Sequence, residues 1–379
     1  MVKFQEFNHW SPAMARKLFV AATGQNIGKT TVCLALLHLA RKKYRRVGFI
    51  KPIGPKPTRV GEVVVDKDAA LMAGVFDLDQ DLRYLSPVVV PPGMTRDVID
   101  GRIPKEMLEA RLVEALAILD QTCDFLVIEG SGHPGVGTVF GLSNARVASL
   151  AGASVLMVTG GGIGNVIDGV AAHSAPFERE GVALKAVLVN KLAPDKRDRT
   201  LDYLRRASDG VDYTILGGFN YQPILANPTL RRIANVLGLP LHGDHDDLGR
   251  IIHHVQIGAA STHRVAELLK PDSLLIVTSS RDELLVTLAN LYTIPEFRKK
   301  IVGLVIPGRQ PVDHITQLIL DRSGVPYFRT TRNTTAELYQ MITDDVSKLT
   351  PEDTEKLDLL RELAELRLDF DQIDALVAE

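Results

Sequence analysis

The chain is predicted to form an α/β fold whose mostly parallel sheet is covered on both faces. Three observations carry this expectation. Short β-rich apolar runs alternate with helical patterns from Lys17 to about Asn220. The runs are apolar nearly throughout, as strands buried under helices on both sides are. A glycine-containing loop, Thr23-Gly24-Gln25-Asn26-Ile27-Gly28-Lys29-Thr30, joins the first run to the first helical pattern.

Taken in order, Leu18–Ala22 is the first buried strand, and Val32-Cys33-Leu34-Ala35-Leu36-Leu37 lies in the first helix. The cluster Arg41-Lys42-Lys43-Tyr44-Arg45-Arg46 sits at the end of that helix, where cations complement the helix dipole. It reads as a solvated helix end rather than an anion or RNA patch. Strands Val47–Ile50, Phe125–Ile128, Ser154–Val158, Ala186–Val189 and Thr214–Leu216 follow, with helical stretches Lys105–Asp120, Asn144–Ala151 and Arg199–Ser208 among them. A second, smaller α/β unit begins near Pro223 to Pro228. It alternates Leu230–Leu237 (helix), Ser273–Thr278 (strand), Glu283–Leu291 (helix), Ile301–Ile306 (strand) and Ile315–Arg322 (helix), and closes on Pro326-Tyr327-Phe328.

Thr350-Pro351-Glu352-Asp353 reads as a helix start. Thr350 is the N-cap, Pro351 the first helical position, and an acid stands three residues after the cap. The tail from there to Leu376 is amphipathic, with Leu357, Leu360, Leu363 and Leu366 available for packing on its own domain or on another subunit. The expected boundaries are an extension at 1–16, a first domain at 17–222, a second at 223–345 and a helical tail at 346–379.

Composition narrows the function. The 379 residues carry a formal net charge of −2, which leaves no broad basic field for nucleic acid. Cys33 and Cys123 stand far apart, without C-x-x-C or zinc spacing, so reduced thiols are expected. No apolar stretch is long enough to span a membrane, and Met1 to Arg16 lacks a signal-peptide core. These observations read as a soluble cytoplasmic protein.

The loop after the first strand reads as a phosphate-binding P-loop. Its glycines let backbone N–H groups turn toward an anion, and the following helix N-terminus adds partial positive charge. Gly24, Gln25, Asn26, Ile27, Gly28, Lys29, Thr30 and Thr31 are therefore the candidate ATP-binding stretch. Lys29 is expected to reach the β- and γ-phosphates and Thr30 to ligate Mg²⁺. One letter departs from G-x-x-x-x-G-K-[ST], because Thr23 stands at the first glycine. Gly24 stands where ParA/MinD and nitrogenase iron-protein loops carry a lysine, which points away from that branch.

Further candidates lie at neighbouring strand ends, where open parallel sheets bind ligands. Lys51-Pro52 ends the second strand, and Lys51 is a candidate catalytic residue with Lys29: a lysine there can hold phosphate or an anionic substrate. Asp66 and Asp68 follow in a polar loop entering a helix. Glu129 closes its strand before Gly130-Ser131-Gly132. Thr30, Asp68 and Glu129 are the candidate Mg²⁺ ligands. Asn190-Lys191 ends another strand, where a base can be read. Guanine is disfavoured because Ala193 stands where N-K-x-D requires Asp. The residue types alone leave plainer roles open: Lys51 as an exposed strand-end lysine, Asp68 as a helix cap, Asn190 as a turn former and Glu129 as a solvated acid.

With these residues in place, residues 17 to about 220 resemble dethiobiotin synthetase, a P-loop NTPase fold, which also has Thr at the place of Thr23. Matching positions are Gly28-Lys29-Thr30, Lys51-Pro52, Asp68, Glu129-Gly130 and Asn190. The resemblance implies that Lys29 and Lys51 contact phosphates and a substrate carbamate, and that Asp68 and Glu129 hold Mg²⁺. Glu129 to Gly137 and Gly141-Leu142-Ser143-Asn144-Ala145 look like the N-terminal region of long bacterial phosphotransacetylases. The second unit, from about Asn227-Pro228, looks like the DRTGG domain of the same proteins. Its naming motif is not spelled out, and Ser279-Ser280-Arg281-Asp282-Glu283 stands at the expected counterpart. The resemblance makes a homodimer an expectation.

Two departures shape the expected function. Pro55 stands where dethiobiotin synthetase carries a serine for its diamine, and it supplies no hydroxyl, which argues against biotin synthesis. The chain ends at Glu379, so phosphotransacetylase activity is expected to be absent. A regulatory or sensory Mg-ATP-binding protein with an unknown small-molecule partner is the first expectation. An ATP-dependent ligase or carboxylase acting on a small carboxyl or amine substrate is the second, and a scaffold with a vestigial P-loop the third. His133 reads either as an acid/base or phosphate contact or as a structural loop histidine. His242-Gly243-Asp244-His245-Asp246-Asp247 reads as a solvated loop rather than a metal site, His253-His254 as structural, and Gly160-Gly161-Gly162-Ile163-Gly164 either as a second phosphate site or as a turn near the ligand crevice.

Overall fold

A computed structural model describes residues 14–245, 248–343 and 349–378. Residues 1–13 of the expected extension, Asp246-Asp247 and the expected 345/346 boundary lie outside the described residues. The chain divides into two compact units, Gln222–Leu357 and the remainder on either side of it.

The first unit is built on strands β1 (Arg16–Ala22), β2 (Val47–Ile50), β3 (Phe125–Glu129), β4 (Ser154–Gly160), β5 (Leu184–Asn190) and β6 (Thr214–Gly217). Among the described residues they form one six-stranded sheet in the order β6-β5-β4-β1-β3-β2, with every pair parallel. The apolar runs explain this. All five residues of β3 are buried, and Phe19, Val20, Ala21 and Ala22 of β1 are fully covered. Strands with two apolar faces must be sandwiched by helices. The covering includes α1 (Lys29–Lys43), α2 (Lys67–Phe76), α3 (Lys105–Thr122), α4 (Asn144–Ala151), α5 (Ile163–Arg179) and α6 (Arg197–Ala207). The chain leaves β1 toward β2 on one side and later crosses to β4 on the other. The loop after β1 therefore opens at the switch point, where parallel sheets form a ligand crevice.

Helix α1 starts at Gly28, whose φ of 101° suits glycine, and stops where Tyr44 turns extended after Arg41, Lys42 and Lys43. It buries Val32 to Leu37, Leu39 and Ala40, nearly all of its inner surface. Asp66 caps α2 by accepting from Asp68 N at 2.8 Å.

The second unit has its own sheet and core. Strands β7 (Leu241–His242), β8 (His254–Ile257), β9 (Ser273–Ile276), β10 (Ile301–Pro307) and β11 (Tyr327–Thr330) run in the order β7-β11-β10-β9-β8. Among the described strands of this sheet, only the short β7 pairs antiparallel. Alternation puts Leu275 and Val277 into one apolar cluster and Leu274 and Ile276 into the other. The first cluster is completed by Leu284, Leu285 and Leu288 of a helix over Asp282–Tyr292. The second is completed by Leu230 and Ile233 of a helix over Leu230–Leu237. The tempting histidines serve this fold. His242 stacks on Tyr327 at 4.9 Å, His253 lies 3.7 Å from Asp272, and His254 Nδ1 bonds Pro271 O at 2.9 Å.

The tail differs from its expected form in three ways. Its first helix starts at Thr354, not Pro351. Thr350 N donates to Asp353 Oδ2 at 2.9 Å, which closes 350–353 into a separate turn, and Leu357 N then bonds Asp353 O at 3.0 Å. The helix ends at Arg367 and a second runs Phe370–Ala378, opened by Asp369 accepting from Gln372 N at 2.9 Å. The buried stripe is Leu357, Leu360, Ala364 and Leu368, while Leu366 is 69% exposed. Steps of three residues lag a 3.6-residue turn by about 60° each, so three such steps carry Leu366 to the opposite face.

The residues from Asp358 onward belong with the first unit. Phe370 meets Phe125 of β3 edge-on at 5.5 Å, and Phe125 stacks on Tyr44 at 5.2 Å. Asp374 is buried and holds Arg16 at 3.0 Å, Lys43 at 3.0 Å and the Tyr44 hydroxyl at 2.6 Å. Burial alone raises its carboxyl pKa, but bonds from Tyr44, Lys43 and Arg16 outweigh that and hold it below the usual range. Lys42 and His38 pair with Glu365 at 2.5 and 2.8 Å.

Candidate functional site

The P-loop emerges from β1 and is pinned on several sides. Thr23 N donates to Val158 O at 3.1 Å, and its hydroxyl bonds Thr159 Oγ1 at 3.2 Å. The off-pattern threonine thus ties the loop to the end of β4. Asn26 has a φ of 58° and its carbonyl accepts from Lys191 Nζ at 2.7 Å. Asn190 Nδ2 donates to Ile27 O at 2.9 Å, and its Oδ1 accepts from Phe219 N at 3.1 Å. Asn190 therefore braces the loop against the chain leaving β6.

Gly28 is required twice, by its φ of 101° and because a Cβ would stand 2.5 Å from Asn190 Nδ2. Gly28→Ala is expected to cost about 1–2 kcal/mol from the left-handed backbone alone and to loosen Asn190 as well. A thermal melt would check it, and an unchanged melting temperature would contradict it.

Three further chain segments bring charge to the loop. Lys29 Nζ donates to Gly132 O at 2.8 Å and lies 3.4 Å from Gly24 O. Thr30 Oγ1 donates to Glu129 Oε1 at 2.9 Å. Lys51 Nζ reaches the same Glu129 Oε1 at 2.9 Å, Asp68 Oδ2 at 3.0 Å and Gly130 O at 3.3 Å. Lys51, Asp68 and Glu129 are all buried, so the plainer readings of an exposed lysine and a solvated acid do not describe them. The helix cap is Asp66, which frees Asp68 for Lys51. Asp66 also accepts from Lys56 N at 2.9 Å, and its own N–H donates to Ser86 Oγ at 3.0 Å.

The electrostatics follow from that burial. Burial lowers Lys29 to about 8, against the attraction of Glu129 and with the repulsion of Lys51. Burial also pulls Lys51 down, but Glu129 and Asp68 outweigh it and hold the ammonium above the ordinary lysine value. Glu129 is raised by burial and by Asp68, with Lys51 opposing. Glu129 Oε2 is buried and has no hydrogen-bond partner among the described residues. Such an atom calls for a water or ion.

The loop after β3 is held by a residue whose site role the sequence did not reveal. Asn144 Nδ2 donates to Ser131 O and His133 O, each at 2.7 Å, and its Oδ1 accepts from Ser131 N at 3.0 Å. This fixes the Gly132 carbonyl against Lys29. Asn144 opens a helix after the Ser143 cap, and only its burial marks it. Thr159 is likewise not marked in the sequence, since its role needs the fold, while Lys191, marked with Asn190 as a strand end, donates to the Asn26 carbonyl. His133 Nδ1 accepts from Gly135 N at 3.3 Å within its own loop, and its ring stands 6.1 Å from that of His173. Gln25 is exposed and Thr31 half-buried, and neither side chain makes a hydrogen bond among the described residues.

Thr30, Asp68 and Glu129 offer oxygen only, a donor set suited to a hard cation. Among the described residues no group of three or more His, Cys, Asp or Glu is clustered for a metal. A hydroxyl and two carboxylates instead match Mg²⁺, which keeps waters and phosphate oxygens. The orphaned Glu129 Oε2 fits that assignment. Among the described residues no helix is long and apolar enough to cross a membrane.

Comparison with known proteins adds the family. The model of an AAA domain family (AAA_26) matches residues 16–229, and that of the DRTGG domain matches residues 233–343. The ATP-dependent dethiobiotin synthetase BioD of Aromatoleum aromaticum is 27% identical over 227 residues, covering 59% of this chain and 98% of that protein. A phosphate acetyltransferase of Nitratidesulfovibrio vulgaris is 21% identical over 372 residues, covering 95% of this chain and 51% of that protein. The chain thus spans about half the length of that acetyltransferase. MinD of Pyrococcus horikoshii, solved with Mg-ADP, aligns with a TM-score of 0.34 at 16% identity, over 56% of this chain and 84% of that one. The chain belongs to the dethiobiotin-synthetase-like P-loop family, with a DRTGG domain following its nucleotide-binding domain.

Proposed function

We propose that the protein binds Mg-ATP at the P-loop and uses it in a regulatory or sensory role. The observation that carries this reading is the convergence of the half-buried Lys29 and Thr30 with the buried Lys51, Asp68 and Glu129 at the ends of β1, β2 and β3. Lys29 and the main-chain N–H groups from Gly24 to Gly28 receive the phosphates. Thr30, Asp68 and Glu129 hold Mg²⁺, which supplies charge neutralisation at the β- and γ-phosphates. Asn190, braced beside the loop, lies where the base is read. Lys51 is paired with two carboxylates and also donates to Gly130 O, and Pro55 offers no hydroxyl to a diamine, which favours sensing over biotin synthesis.

A second reading, an ATP-dependent ligase or carboxylase, is favoured by Lys51 itself, a cation at a strand end beside the phosphate loop. ATP turnover measured with and without small carboxylates and amines separates the two. The sensing reading expects slow hydrolysis that these compounds leave unchanged. Stimulation to ordinary enzyme rates by one of them would replace it with the ligase reading.

A further inference from the structure

We propose that Lys51 is a resident counter-ion that a divalent cation displaces, so that its ammonium becomes available to an anion only once metal has entered. The proposal rests on the Mg-ATP reading above and adds an order of events to it. The two carboxylates assigned to the cation, Asp68 and Glu129, are the two that Lys51 bridges, at 3.0 and 2.9 Å. Glu129 Oε1 accepts from Thr30 and Lys51 together, each at 2.9 Å, while its Oε2 has no hydrogen-bond partner among the described residues. One cation position therefore has two claimants. Mg²⁺ binds oxygen at about 2.0–2.1 Å and demands near-octahedral geometry. A buried ammonium held against the same oxygens obstructs that shell and repels its charge, weakly screened by water.

The chain is built for the lysine head to move rather than the strand. Lys51 N is fixed to Leu85 O at 2.8 Å, whereas the ammonium sits on a flexible four-carbon stem. Its third contact, Gly130 O at 3.3 Å, opens the loop whose Gly132 carbonyl holds Lys29. A displaced Lys51 ammonium thus remains beside the phosphate loop, free to meet an oxyanion. Metal first and anion second is the resulting order, and by linkage Lys51 weakens metal binding as much as metal weakens the ion pair.

The test uses the full chain with ADP saturating and Mn²⁺ as the metal probe, followed by electron paramagnetic resonance. Lys51→Met is expected to bind Mn²⁺ about tenfold tighter than the wild type, within the usual range of coupling between sites. Unchanged or weaker binding overturns the proposal. Lys51→Met strands two buried carboxylates, so a measurement on the wild type accompanies it. Acetic anhydride labelling of Lys51, read by peptide mass spectrometry, is expected to rise about tenfold when Mn²⁺ joins ADP, and no rise overturns the proposal. If Mn²⁺ and ADP fail to bind the wild type at all, the nucleotide reading falls and this one with it. If they bind while both Lys51 readouts stay flat, only the displacement falls.

Discussion

Replacing Lys29 by methionine is expected to weaken Mg-ATP binding at least about 100-fold, equivalent to about 2.7 kcal/mol. The magnitude follows from the bonds at stake. Charge-assisted bonds to phosphate are each worth roughly 1.5–3 kcal/mol, and a P-loop lysine makes more than one of them. Methionine keeps most of the buried stem, so the fold is retained and the loss reports on the ammonium. Titration calorimetry measures it directly. The wild type should also show a pH dependence that the variant lacks. Burial lowers Lys29 to about 8 in the free protein. Below that pH the ammonium is present and affinity is full. As pH rises through about 8 the free protein loses the proton, and binding must reclaim it, so affinity falls by up to about tenfold per pH unit. Buffers of different ionisation enthalpy should report proton uptake near pH 8 to 9. Affinity that stays flat across that range, or a Lys29→Met protein that binds normally, would remove Lys29 from the site.

Phe370→Ala is expected to cost about 3 kcal/mol, near the low end for a buried phenylalanine because the site lies close to the surface. Phe370 is 8% exposed and packs on Phe125, which in turn stacks on Tyr44 at the end of α1. The side chain leaves a hole between the tail and β3 that rigid strands cannot close. Leu366→Ala is the matched control. That leucine is 69% exposed, and its removal should stay within about 0.5 kcal/mol. Hydrogen exchange in β1 and α1 gives the specific readout, because faster exchange there places the tail in the core of the first unit. Equal melting temperatures for the two variants would mean that the tail contributes nothing to that core.

The fold was legible because its signals are local. Buried parallel strands must be continuously apolar, and Leu18–Ala22 and Phe125–Ile128 announce themselves within a few residues. The P-loop is similarly self-contained, since a strand, a left-handed glycine and a helix start occupy a short span. Lys51, Asp68 and Glu129 were legible as chemistry at strand and helix ends, although not as partners of one another. An ion pair between residues 78 apart depends on β2 lying beside β3, a pairing that no local pattern states. The same reason hid the roles of Asn144 and Thr159, and the bond from Lys191 to the Asn26 carbonyl, because their partners lie on other elements. The helix start at Thr350 was misplaced because two arrangements use the same acid. Asp353 can serve a continuous capping box or close a separate turn, and the latter formed.

By itself, then, the amino-acid order determined the parallel α/β framework and the phosphate loop, since periodicity and backbone freedom act over a few neighbours. It also determined which side chains could carry charge. Tertiary structure alone decided three things: that Asp66 caps while Asp68 meets Lys51, that Thr23 anchors the loop to Thr159, and that the tail returns to β1, β5 and α1. Each is a choice among partners of similar chemistry. Only the packing of distant segments removes the alternatives, by burying one set of charges where an unpaired one would be too costly to keep.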